Sequence, residues 1–406
     1  MRICVLVGNP IRHDGRVLRQ SRALHDGGHA VTAIGVLGPN DKRVDMRSAV
    51  PFRVELVDRR KASLVSRVNW AQSAVRHRIA SYAARVWHGS PVAELAVSPF
   101  LVELLTRAIR NRADVYHCND IDTLPAGAIA ARLVKARYVF DAHELYADES
   151  EAMTETERAQ RDFVLRKYLP GAAGFTTVSR GIADVYEASY GRRPIVVRNV
   201  PEIVGDVVSA PDAGAASRVV LFYHSMNLDW SRRGPEDCVR ALALLPERVR
   251  LVFMGRPSES FTRGLAQLDD DTRGRLRDRI EVRPLVAQEQ VVREAARAHI
   301  GLQPDRPTCS NQALGLPNKL FEYMMAGLAL AVSDKPGHRE VLTSENAVFF
   351  TPGDPASIAS SVQQLLDSPA VLSSMRSQNR KLAVEEYNWD RERERLVGMY
   401  RTIAEK

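Results

Sequence analysis

Lys319 and Glu322 lie three residues apart within Leu316-Pro317-Asn318-Lys319-Leu320-Phe321-Glu322-Tyr323-Met324-Met325-Ala326-Gly327. That spacing suits recognition of a phosphorylated, hydroxyl-bearing molecule. The segment follows an apolar, strand-like run (Ala298 to Gln303) and a polar loop (Pro304 to Gly315). Pro317 and Asn318 mark a helix start, Leu320, Tyr323 and Met324 recur at helical spacing, and Gly327 marks the stop. A strand, a loop and a helix N-terminus together favour an anion, because unpaired amides and the positive dipole end face it. Glu322, one turn further in, is placed to accept hydrogen bonds from hydroxyls such as those of a ribose. The same residues also describe an amphipathic helix capped by Asn318, with Glu322 in solvent.

Other polar groups end apolar runs in the same way. Gly8-Asn9-Pro10 to Asp14-Gly15-Arg16 follows the first, His117-Cys118-Asn119-Asp120 another, and Asp141-Ala142-His143-Glu144 the next. Two successive strand ends with His and Asp point to a site, although Asp141 could equally cap a following turn. Further on come His224-Ser225, Ser231-Arg232-Arg233-Gly234-Pro235, Met254-Gly255-Arg256-Pro257 and Gly337-His338-Arg339-Glu340. An Arg233 guanidinium can clamp a diphosphate or simply be solvated in a loop. Gly255 would let a backbone approach a ligand closely. The glycines after the first strand do not form GxGxxG, so a dinucleotide fingerprint is absent. Asp269-Asp270-Asp271 reads as a solvated acidic run rather than a metal cluster.

The elements that must position these groups alternate. Strand-like runs are Ile3–Val7, Ala30–Gly35, Arg53–Val57, Val115–His117, Tyr138–Asp141 and Gly174–Val178, then Val219–His224, Arg250–Met254, Ile280–Val282, Ile300–Gln303, Ala329–Ser333 and Ala347–Phe350. Amphipathic stretches such as Val17–Gly27, Pro125–Lys135 and Pro355–Leu366 separate them, which predicts βα units on parallel sheets. Ile203 to Ser217 is linker-like, so two α/β domains are expected, with a ligand cleft at the carboxyl ends of their strands. Lys381 to Lys406 reads as one closing helix.

At 406 residues, 45% hydrophobic and 26% charged, the composition is that of a folded, multi-domain protein. No transmembrane-length apolar run or signal-peptide core is present, and a cytoplasmic location is expected. Four scattered cysteines argue against zinc or a disulfide framework. A formal charge of +8 favours acidic partners. The basic, helix-periodic stretch 59–88 is a candidate for peripheral contact at the inner membrane face, or for packing on its own sheet with a solvated face. It lacks the interleaved aromatics of a nucleic-acid platform, and no nucleic-acid partner is expected.

Across nearly its full length the chain resembles the GT-B glycosyltransferases of family 4. Four segments carry the resemblance: Asp14-Gly15-Arg16-Val17-Leu18 through His29-Ala30-Val31; His117 to Leu124 with Asp141 to Tyr146; Thr177-Val178-Ser179 through Val197-Arg198-Asn199-Val200-Pro201; and Pro317 to Tyr323 with Gly327 and Pro352-Gly353-Asp354-Pro355. The resemblance implies two Rossmann-like domains facing across a cleft: an acceptor domain (1–203), a nucleotide-sugar domain (204–385), and a helix (386–406) returning to the first. It implies retaining transfer from a nucleoside diphosphate sugar with no cofactor or essential metal. Catalytic roles then fall to His143, Arg233 and Lys319. Donor binding falls to Gly255, Arg256, Pro284, Leu285, Asn318, Leu320 and Glu322, and acceptor binding to Asn9, Asp14, Arg16, Asp120 and Glu144. Leu314 stands where many members carry a first glutamate eight positions before the second, and His224-Ser225 stands where a glycine is usual. A sugar-nucleotide epimerase and a nucleotide-binding scaffold without catalysis are the alternatives. The acceptor is unidentified, and a monomer is the default.

Overall fold

The computed structural model describes residues 1–12, 14–38, 41, 46, 49–58, 91–208, 210, 218–231, 234–276 and 278–405. The stretch 59–88 and Arg233 lie outside the described residues. The chain forms two compact units. Unit 1 comprises Met1–Arg198, Cys309–Asn311 and Arg393–Lys406; unit 2 comprises Asn199–Thr308 and Gln312–Glu392.

Unit 1 is built on β1 (Arg2–Leu6), β2 (Ala30–Leu37), β3 (Arg53–Asp58), β4 (Val115–Asn119), β5 (Arg137–Ala142), β6 (Gly174–Thr177) and β7 (Ile195–Val196). Their order in the sheet is β3-β2-β1-β4-β5-β6-β7, and all pair in parallel. Runs such as Ile3-Cys4-Val5-Leu6 are apolar at every position because helices cover both faces of a parallel sheet. Cys4, Leu6, Ile34 and Tyr116 share one core with Leu104 and Ala108 of the helix Leu101–Asn111 and with Ala126 and Ala130 of the helix Leu124–Val134. β7 has no counterpart in the sequence reading. Two residues carry no periodicity, and pairing with Thr176 and Thr177 alone makes them a strand.

Unit 2 contains β8 (Val219–Leu228), β9 (Val249–Pro257), β10 (Ile280–Arg283), β11 (Ile300–Gln303), β12 (Ala329–Ser333) and β13 (Ala347–Phe350), again all parallel, in the order β10-β9-β8-β11-β12-β13. Alternate side chains of one apolar run enter different cores. Leu221, Tyr223, Leu251 and Phe253 join one cluster, while Phe222, Val252 and Met254 join the other.

Both sheets have the Rossmann-like order, as the sequence led us to expect. The winding reverses between β1 and β4 in unit 1 and between β8 and β11 in unit 2. Ligands of such sheets bind beyond the strand carboxyl ends at that reversal. The single closing helix is corrected to two, Pro369–Glu385 and Trp389–Glu405. Asn388 causes the break: its Nδ2 donates to the carbonyls of Ala383 (3.2 Å) and Val384 (2.8 Å), and its Oδ1 accepts from the Arg391 amide (3.2 Å). Among the described residues no helix is long and apolar enough to cross a membrane.

Candidate active site

In unit 1 the polar groups beyond β1, β4 and β5 form one buried network around Asp141. Arg16 Nε donates to Asp141 Oδ2 (2.9 Å) and its Nη2 to Oδ1 (2.7 Å), while Nη1 donates to the Val197 carbonyl (2.8 Å). Gln20, one turn along the same helix, donates to Oδ2 (2.6 Å), and Thr176, the register partner of Asp141 on β6, donates to Oδ1 (2.7 Å). His143 Nε2 adds a contact to Oδ2 at 3.0 Å. Asp141 is fully buried and is not the cap of a turn. Burial would raise its carboxyl, but Arg16 and His143 outweigh burial and hold it well below the usual carboxylate range.

The other nitrogen of His143, Nδ1, lies 3.2 Å from Asp120 Oδ1. Asp120 also accepts from the Tyr146 hydroxyl and has φ +66°, a left-handed backbone uncommon for a non-glycine residue. Burial disfavours a charged His143 ring, but Asp120 and Asp141 outweigh it and push its pKa up to about 9. His117, in the middle of the neighbouring strand β4, has the opposite outcome. It is buried, stacks on Tyr400 and shares a 2.7 Å contact with that hydroxyl, and burial pushes it down to about 4.

The loop after β1 is tied together by its own side chains. Asn9 Nδ2 donates to Asp14 Oδ2 (2.7 Å), Asn9 Oδ1 accepts from the Ile11 amide (2.8 Å), and Asp14 Oδ1 caps the first helix through the Val17 amide (3.0 Å). Asn9, Asp14 and the buried Arg16 are therefore occupied in shaping this end of the sheet. Asp120 and Glu144 are half-buried. Glu144 accepts from Asn311 Nδ2, and Asn311 Oδ1 accepts from the Leu145 amide (2.8 Å).

In unit 2 the helix Asn318–Met325 starts after Pro317, which has extended backbone, and no side chain caps it. Leu320 to Met325 are all buried, so the helix lies inside the unit and is not amphipathic. Gly327, at φ +70°, ends it as expected. Glu322 is 4% exposed, which excludes the solvated reading. His224 Nε2 lies 2.8 Å from its Oε2, and Gln288 donates to its Oε1. Lys319 is buried, with Nζ 4.3 Å from the centroid of the Tyr223 ring. Lys335 fixes the preceding loop: its Nζ donates to the carbonyls of Gln312 (2.8 Å) and Gly315 (3.2 Å) and pairs with Asp305 (2.8 Å). Asn318, Arg256 and Pro284 are exposed, and Leu285 is half-buried.

Gly255 is required where β9 passes close to β8. A Cβ there would lie 2.2 Å from the Ser225 carbonyl oxygen. The backbone that comes close belongs to β8, which bulges between His224 and Asn227. Asp269 to Asp271 serve a helix: Asp269 accepts from the Thr272 amide (2.8 Å), and Asp270 and Asp271 pair with Arg273 and Arg275.

Several partners in these networks were not found from the sequence. Gln20 could have been, because Arg16 and Gln20 fall four apart on one helical face. Thr176, Asn311 and Gln288 could not, since only sheet register and chain folding bring them to their carboxylates. Asp122 was passed over as well. Its Oδ1 is buried without a hydrogen-bond partner, and burial, then Asp120, pushes its carboxyl up to about 7.

The two Rossmann-like units, seven- and six-stranded, match solved structures of the GT-B fold. Anabaena HepE in complex with UDP superposes with a TM-score of 0.70 at 16% identity, covering 100% of this chain and 99% of that one. Its UDP-glucose complex gives 0.68 at 17%, covering 100% and 98%. Sucrose-phosphate synthase from Thermosynechococcus elongatus gives 0.68 at 14%, covering 100% and 99%. No curated protein matches the chain in sequence. Residues 15–201 match the glycosyl transferase 4-like domain and residues 217–368 the glycosyl transferases group 1 model. The chain is a glycosyltransferase of the GT-B fold.

Proposed function

We propose that this glycosyltransferase is a retaining enzyme of family 4 that moves a sugar from a nucleoside diphosphate to a hydroxyl or other nucleophile of an acceptor. Unit 2 binds the donor. Glu322 accepts hydrogen bonds from the ribose, the amides near Lys319 and Leu320 hold the diphosphate, and Gly255 with the Pro284-Leu285 region is assigned to the base, with Arg256 also in the donor site. Unit 1 binds the acceptor, with His143 beside the reacting carbon and Asp120 and Glu144 facing the acceptor. The observation that carries this reading is Glu322: a buried carboxylate one turn inside an uncapped helix N-terminus, at the sheet's winding reversal. The UDP and UDP-glucose held by HepE support a nucleotide sugar as the donor class.

Cleaving a glycosyl phosphate builds positive charge on the sugar and negative charge on the diphosphate. Lys319, Arg233 and the helix amides supply the opposing field without a metal, and one well-aimed donor contributes about 2–4 kcal/mol. The test is product analysis with a panel of nucleotide sugars, with and without acceptors and with chelator. A glycosylated acceptor with the donor's anomeric configuration, formed in chelator, supports the proposal. An isomerised sugar released from donor alone, or binding with no turnover across the panel, overturns it.

A further inference from the structure

Both ring nitrogens of His143 face carboxylate oxygens: Nε2 is 3.0 Å from Asp141 and Nδ1 is 3.2 Å from Asp120. An ionised carboxylate only accepts hydrogen bonds, so Nε2 must carry a proton to bond Asp141, and the second carboxylate, 3.2 Å from Nδ1, favours the fully protonated ring by its charge. Asp141 cannot turn away, because Arg16, Gln20 and Thr176 together direct four further donors onto its two oxygens. We propose that Asp120 and Asp141 hold His143 as an imidazolium at neutral pH, and that Arg16, Gln20 and Thr176 are positioning residues acting through Asp141.

The charged groups around the ring are mostly acidic. Asp120 and Asp122 follow β4, Asp141 ends β5, and Glu144 is the ring's chain neighbour. Arg16, from the first helix, opposes the charge but is spent on Asp141, and the buried His117 behind Asp141 is neutral. An imidazolium has no lone pair, so His143 gives hydrogen bonds and positive charge and does not remove a proton from an acceptor. Nε2 points inward to the fully buried Asp141, and Nδ1 to the half-buried Asp120. A ligand oxygen reaching the ring therefore takes the place of Asp120.

This inference rests on the proposed function for its catalytic meaning, yet its test needs no substrate. The full-length protein, labelled with 15N in histidine, is titrated by NMR, and His143→Gln identifies the signal. Both His143 nitrogens should stay protonated through pH 8, with a midpoint near 9. Asp120→Asn, at the rim of the network, should lower the midpoint by about one unit or more, and Thr176→Val, which loosens Asp141, by a smaller step. A wild-type midpoint near the ordinary histidine value, or one that Asp120→Asn leaves in place, overturns the proposal. If the NMR result holds while no nucleotide sugar is turned over, the functional reading fails and the imidazolium stands.

Discussion

Asp141 stands between two histidines that its surroundings drive apart, and stability should record the difference. His143 has a folded pKa of about 9 against an ordinary 6.5, so its contribution is complete below pH 6.5 and is lost as pH rises through 9. His117, at about 4 when folded, acts in the opposite sense. Between pH 6.5 and 4 the unfolded chain takes up the proton first, and stability falls. These two groups together place a maximum near pH 6.5. Chemical denaturation of wild type and His143→Gln from pH 4 to 9.5 should show the largest gap between them at and below pH 6.5. That gap should close above pH 9. The sequence exposed Asp141, His143, Lys319 and Glu322 because chemistry-bearing residues at strand ends and helix starts stand out against apolar runs. It could not reveal that Arg16 grips Asp141 and that Asp14 caps the first helix, since that depends on which oxygens and amides they reach.

Local backbone geometry fixes the site at the level of elements. Gly234 begins the helix Pro235–Ala243 with φ +79°, and a Cβ there would lie 2.3 Å from the Pro304 carbonyl oxygen. Gly234→Ala should therefore cost about 2 kcal/mol or more in denaturant unfolding. Gly205→Ala, which meets nothing within 4 Å, should stay within about 0.5 kcal/mol of wild type. Strands were the most legible elements because central parallel strands covered on both faces are nearly all apolar, as in Ile3–Leu6, while the edge strands β3 and β10 carry Glu55 and Glu281 and showed only short apolar runs. The carboxyl end of β8 was not, because Ser225-Met226-Asn227 is polar or exposed and extends the strand only through its bulge against β9. The break at Asn388 was hidden for a similar reason. Capping by one side chain leaves the helical period on either side unaltered.

For the whole molecule, the chain divides into two units, each built on its own parallel sheet. The two matched domain models follow that division, at 15–201 and 217–368, and the chain returns to unit 1 from Arg393 onward. Motif order across the chain made the class legible. The sugar and the acceptor were not, because hydroxyl recognition depends on side chains brought together from distant segments, and Leu314 removes the usual marker. The most direct test of the account is calorimetric titration of UDP, GDP, ADP and dTDP into wild type and Glu322→Ala. We predict that at least one binds wild type and raises its thermal stability, by about 2.7 kcal/mol at a hundredfold excess over Kd. Its affinity should fall about tenfold or more in the variant, with the fold intact. Equal affinity in both proteins, or no binding of any nucleotide to wild type, would contradict the assignment.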